Sequence, residues 1–171
     1  GAGDAKVGGN YAPTIRVQAA AAKKGFSQIL WLLGEDANVT EVGTMNFFAF
    51  WKNEAGELEL VTPPLDGTIL PGVTRQSILD LARSWGEFKV SERKFTMGEV
   101  VKAVKEGRLL EAFGAGTAAV VSPIKLINYK DVDYNIPVDE AKGAGPLTKR
   151  VWDTLSDIQY GKVEHPWSVV I

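Results

Sequence analysis

The sequence predicts one mixed α/β (α+β) domain, and three observations predict it. Helical and strand-like segments follow one another irregularly, without the strict alternation of a doubly wound sheet. Glycine and proline punctuate most boundaries between them. The composition, 45% apolar and 23% charged over 171 residues, is that of an ordinary globular chain with material for one core.

Taken in order, Tyr11 to Lys24 reads as a helix: Pro13 suits its first turn, Ala19 to Ala22 are strong helix formers, and Gly25 can take a left-handed cap. Gln28 to Leu33 is a short apolar run with Gly34 behind it, hence a strand. Val39 to Val42 and Met45 to Lys52 are two further strands. Asn53 to Gly56 turns the chain into Leu58 to Thr62, which Pro63-Pro64 stops. Asp66 to Leu70 is a loop with one short strand. Pro71 to Thr74 opens a helix that runs to Trp85, with Ile78, Leu79, Leu81 and Ala82 on its apolar side and Gly86 as its cap. Lys89 to Arg93 is a strand. Thr96-Met97-Gly98-Glu99 has capping-box spacing, and the helix it starts ends near Gly107. Leu109 to Ala112 and Ala118 to Ile127 are strands on either side of a turn at Phe113 to Thr117. A last helix runs from Pro146 to Tyr160 and stops at Gly161.

Several function classes are disfavoured by composition. The formal net charge is −2 with no basic block, which speaks against nucleic acid or an anionic membrane surface as partner. Cysteine is absent, so disulfides, thiolate nucleophiles and cysteine metal sites are excluded for this sequence. A single histidine, His165, makes a histidine metal site or a Ser-His-Asp triad a poor expectation, and no metal is expected. No apolar run has the length of a membrane span. The expectation is an intracellular, soluble protein. Gly1-Ala2-Gly3-Asp4 reads as the middle of a loop, as expected of a chain cut at a linker.

Five segments carry a resemblance: Gly3 to Tyr11 (GDAKVGGNY), Glu41 to Asn46 (EVGTMN), Leu70 to Arg75 (LPGVTR), Phe113 to Ala118 (FGAGTA) and Asp157 to Gly161 (DIQYG). Together, in this order and spacing, they resemble the fold-type-IV aminotransferases, in particular the branched-chain amino-acid aminotransferases. The resemblance covers essentially the whole chain. It implies a pseudo-barrel sheet flanked by helices and pyridoxal 5'-phosphate as cofactor. The implied reaction is transamination of leucine, isoleucine and valine with 2-oxoglutarate. It also implies that residues 1–171 are the single C-terminal domain of a two-domain homodimeric enzyme, in cytoplasm or mitochondrion, with the N-terminal domain absent from this chain.

Residue by residue, the resemblance makes Lys6 the lysine that forms the Schiff base; a primary amine condenses with an aldehyde and, once displaced, can shuttle a proton. Glu41 matches the carboxylate beside the pyridine nitrogen, where an anion keeps that nitrogen protonated. Tyr11 matches the phenol on the cofactor's ring oxygen. Val73 and Thr74 match the phosphate site, which has an independent rationale: free N–H groups and the dipole at a helix start attract an anion, and Gly72 permits close approach. Thr117 adds a hydroxyl to the same phosphate. Thr44 and the Ala118 N–H match the groups on the substrate carboxylate, and Met45 is a candidate contact for the substrate side chain, though a core methionine is the more ordinary reading.

Two departures stand out. The family's N-terminal domain supplies an arginine for the phosphate and most of the apolar wall for the substrate side chain. Some family members also carry a redox Cys-x-x-Cys after the glycine turn, where this chain has Ala119 and Ser122. The rival readings are another fold-type-IV enzyme, such as a D-amino-acid aminotransferase or an aminodeoxychorismate lyase, or an inactive isolated fragment.

Overall fold

The structure, a computed structural model, describes residues 2–169. Its elements in chain order are α1 (Gly8–Tyr11), α2 (Thr14–Lys23), β1 (Leu30–Leu33), β2 (Asn38–Val42), β3 (Met45–Lys52), β4 (Leu58–Thr62), α3 (Val73–Trp85), β5 (Lys89–Glu92), α4 (Met97–Lys105), β6 (Leu109–Gly116), β7 (Val120–Pro123), β8 (Leu126–Tyr129), β9 (Val132–Asn135) and α5 (Pro146–Gln159). This is the mixed α/β class that the irregular pattern predicts, a largely antiparallel sheet flanked by helices. No helix among the described residues is long and apolar enough to cross a membrane.

The sheet is organised around β3. Along one side β3 pairs with β6, and along the other with β2 at its start and β4 at its end, all antiparallel. β4 pairs in parallel with β5, the two being joined through α3. Because β3 is central, side chains on both its faces are buried, which is why its sequence is almost continuously apolar. Phe47, Ala49 and Trp51 point to a core that α4 and Ile127 complete. Phe48 and Phe50 point to the opposite core, built with Ile78 and Leu79 of α3 and Val151 and Leu155 of α5.

Four expectations need correction. The first helix does not start at Tyr11; a short turn spans Gly8–Tyr11 and α2 starts at Thr14, because Pro13 has no N–H to continue the ladder and instead serves as the N-cap residue. Asp66 to Leu70 holds no strand; the Asp66 carboxylate accepts from the N–H and hydroxyl of Thr68 and folds the segment into a turn. Phe113 to Gly116 is not a turn but the end of β6. Its glycines are there for proximity: a Cβ on Gly114 would lie 2.9 Å from Val42 Cγ1 and 3.0 Å from Met45 Cε. Finally, Ala118 to Ile127 is two strands, since the chain leaves the sheet after Pro123. β8 then pairs with β9 in a separate hairpin whose turn residues Lys130 and Asp131 both have positive φ, 53° and 58°.

Candidate active site

β2 and β3 form a tight hairpin in which Glu41 stands opposite Asn46 and Val42 opposite Met45. Alternation therefore sends Glu41 and Asn46 to one face and Val42 and Met45 to the other. On the first face the Glu41 Oε1 accepts from Asn46 Nδ2 at 3.2 Å and from the Leu70 N–H at 3.1 Å. The same Asn46 Nδ2 donates to the Leu70 carbonyl at 2.8 Å. Burial pushes the Glu41 carboxyl above its ordinary range, and the Leu70 N–H it accepts from opposes that shift.

The chain runs from Leu70 into the start of α3. Gly72 is the N-cap residue, extended at φ −67° and ψ 134°, and it has no side chain to occupy the first N–H groups of the helix. A Cβ on Gly72 would sit 2.2 Å from Asn46 Oδ1, so this main chain lies directly against the residue that holds Glu41. Val73 is exposed and Thr74 buried. Arg75, 1% exposed, fixes the same turn to the core: its Nη2 donates to the Pro63 carbonyl and to Glu92 Oε2, each at 2.8 Å.

Lys6 lies on an exposed loop whose shape Asn10 sets, donating from Nδ2 to the carbonyls of Ala2 at 2.6 Å and Ala5 at 2.8 Å. The loop sits on the segment leading to α3: a Cβ on Gly3 would lie 2.8 Å from the Gly67 carbonyl oxygen. Tyr11 ends α1, half-buried, and its carbonyl accepts from Thr14 Oγ1 at 2.6 Å. Thr44 is exposed in the β2–β3 turn. Thr117 and Ala118 are exposed in the turn between β6 and β7, and the Met45 side chain packed against Gly116 ties the two turns together. That second turn closes on Val120 at φ +50°, a strained conformation for a β-branched residue.

Glu41, Thr44, the Leu70 to Thr74 segment, and Thr117 with Ala118 thus collect at one end of the sheet, and the Lys6 loop docks beside them through Gly3. Met45 does not join them. It lies on the other face, where with Val42 it lines a cavity of about 880 Å³ under α2. None of Lys6, Tyr11, Glu41, Val73, Thr74 or Thr117 lines that cavity. Asn46 is the residue that sequence reasoning missed. Its signal was a buried polar side chain in an otherwise apolar strand, which must find hydrogen-bond partners. Among the described residues no group of three His, Cys, Asp or Glu side chains is placed to hold a metal ion.

The raised Glu41 carboxyl has a consequence for stability. Below the ordinary glutamate pKa the group is protonated in folded and unfolded chains alike and contributes no difference. As pH rises through the raised folded value, the unfolded chain ionises first and the fold is penalised. Glu41→Gln is therefore expected to lose less stability than the parent between pH 4 and pH 8. Urea unfolding at both pH values checks this, and parallel losses in the two proteins would contradict it.

The model of the amino-transferase class IV family matches residues 4–127. The branched-chain-amino-acid aminotransferase of Dictyostelium discoideum is 62% identical over 172 residues, covering 100% of this chain and 45% of that protein. The chain thus spans less than half the length of this curated relative. Among solved structures, the branched-chain amino acid aminotransferase of Escherichia coli superposes with a TM-score of 0.75 at 28% identity, covering 97% of this chain and 48% of that one. The branched-chain amino acid aminotransferase of Thermobaculum terrenum in its PLP-form gives 0.74 at 27% identity, covering 95% and 47%. With the family pattern running from the Lys6 loop to the β8 strand, this chain belongs to the amino-transferase class IV family.

Proposed function

We propose that this chain is the pyridoxal-phosphate-holding half of a homodimeric branched-chain amino-acid aminotransferase, exchanging the amino group of leucine, isoleucine or valine with 2-oxoglutarate. The observation that carries the reading is the continuous contact from Glu41 through Asn46 and Leu70 to Gly72. It puts a half-buried carboxylate and an uncapped helix start side by side, as a molecule with a protonated ring nitrogen and a phosphate requires.

The residues present fit that cofactor. Gly72 has no side chain to occupy the first N–H groups of α3, so a phosphate can approach the Val73 and Thr74 N–H groups, and the helix dipole favours it there. The Thr117 hydroxyl adds a donor. Burial works against the Glu41 charge, and a cationic ring nitrogen beside it would favour the ionised carboxylate and be held protonated in return. The Tyr11 hydroxyl would hold the ring oxygen. The cofactor, when bound, supplies the electron sink that lets the substrate α-carbon release its proton. Lys6 Nζ would hold the cofactor and, once free, would be the amine that takes up and moves the substrate α-proton. Thr44 Oγ1 and the Ala118 N–H orient the substrate carboxylate. Met45 has no part in this arrangement, since its side chain serves the opposite face.

The test is a spectroscopic titration with pyridoxal phosphate and, in parallel, with pyridoxal. One charged phosphate contact is worth roughly 1.5–3 kcal/mol, about one to two decades of affinity. Pyridoxal phosphate is expected to bind at least about tenfold more tightly than pyridoxal. Equal affinities would overturn the phosphate assignment. The chain alone is also expected to turn over leucine and 2-oxoglutarate only feebly, because the proposed half-site is open and lacks a wall for the substrate side chain.

A further inference from the structure

Resting on that reading, we infer that Asn46 is a positioning residue that makes the Glu41 carboxylate and the anion-binding start of α3 a single unit. Three contacts meet on its amide. Nδ2 donates to Glu41 Oε1 at 3.2 Å and to the Leu70 carbonyl at 2.8 Å, and Oδ1 lies against Gly72, 2.2 Å from where a Cβ would be. The Leu70 N–H closes the ring by donating to the same Glu41 oxygen at 3.1 Å. Asn46 is 4% exposed, so its amide is shielded from bulk water.

The amide suits this place for a chemical reason. A carboxamide offers N–H donors and a carbonyl acceptor at one tip, so it can donate to a carboxylate and a carbonyl at once. Aspartate has the same shape but no donor when ionised, and leucine fills a similar volume with no polar atom. Glu41 forms no ion pair among the described residues, so the Asn46 and Leu70 donors are the polar contacts that set its rotamer. Shifting Asn46 moves the carboxylate and the Leu70 to Gly72 main chain together. A cofactor gripped at ring nitrogen and phosphate would then have its two anchor points held at a fixed separation.

The test reads Asn46 first without any cofactor. In ¹⁵N–¹H spectra of the 171-residue chain, the Leu70 amide reports Glu41 ionisation directly, because its proton lies on the carboxylate. Asn46→Asp, which preserves the shape, is expected to raise the titration midpoint by on the order of one pH unit, as a like charge replaces a donor. Asn46→Leu is expected to shift it in the same direction. Midpoints unchanged in both folded variants would overturn the inference, since a space-filling role leaves them alone. Should Asn46→Leu not fold, the Asn46→Asp result decides. A second arm compares pyridoxal phosphate with pyridoxal. Asn46→Asp should weaken the phosphate compound at least about fivefold and narrow its advantage over pyridoxal, because the α3 start is displaced as well. Loss confined to the ring contacts, with the phosphate advantage intact, would contradict the coupling. If the parent chain binds neither compound while the Leu70 midpoints shift, the proposed function fails and the control of Glu41 by Asn46 stands.

Discussion

Lys6→Ala, in a full-length family enzyme carrying this sequence, is expected to lower leucine–2-oxoglutarate turnover by at least roughly 10²–10⁴-fold, the usual worth of a positioned acid–base group. Two proposed roles end together: the covalent hold on the cofactor and the amine that moves the α-proton. The next lysines along the chain are not placed to take over. Lys23 and Lys24 lie at the far end of α2, and Lys24 lines the cavity on the other side of the sheet from Glu41. The fold should be indifferent to the change, because Lys6 is exposed and the shape of its loop depends on Asn10, not on the ammonium. Unchanged thermal unfolding with abolished turnover is the expected pair of results. Turnover within tenfold of the parent would contradict the role given to Lys6, and partial rescue by added small amines would support it.

Glu111→Ala is expected to be the most damaging single change to the fold among those considered, at about 3–5 kcal/mol, given roughly 1–3 kcal/mol for each buried donor left without a partner. Glu111 sits in β6, 5% exposed, and caps a helix far away in sequence. Its Oε1 accepts from the Leu147 N–H at 2.8 Å, and its Oε2 accepts from the Thr148 N–H at 2.8 Å and from Thr148 Oγ1 at 2.7 Å. Pro146 at the first position of α5 has no N–H, so these are the first donors the helix offers. The carboxylate also lies at the positive end of the helix dipole. Gly145 is part of the device, since a Cβ there would lie 2.2 Å from Glu111 Cδ. For a chain of this size the loss corresponds to a Tm lower by about 10 °C. Glu111→Gln should cost less but still measurably, because its NH₂ would face an N–H. A Tm within about 2 °C of the parent for Glu111→Ala would show that α5 is held by its apolar face alone.

Local signals account for what the sequence made legible. The capping box at Thr96 and Glu99 is present with both of its bonds, because both partners lie within one turn. The helix from Val73 to Trp85, ended by Gly86 at φ +65°, has its stop written in one residue. Contacts between distant segments were not legible. Gly114 and Gly116 suggested a turn, yet they are glycines because Val42 of β2 and Met45 of β3 press on them. Glu111 looked like an ordinary polar residue in a strand, because the helix it caps begins thirty-odd positions later. The same holds at the candidate site. Glu41 and the Leu70 to Thr74 segment could be named from motifs, whereas Asn46, which joins them, becomes visible only when β3 is laid beside the start of α3.

The central claim, that Lys6 is the residue this fold presents to pyridoxal phosphate, is tested most directly by reducing the chain with borohydride in the presence of the cofactor and mapping the labelled peptides. The account predicts a single phosphopyridoxyl label on Lys6, suppressed in Lys6→Ala and weakened in Gly72→Ala. A label distributed over the surface lysines, or concentrated on Lys24 or Lys125 at the cavity beneath α2, would contradict it.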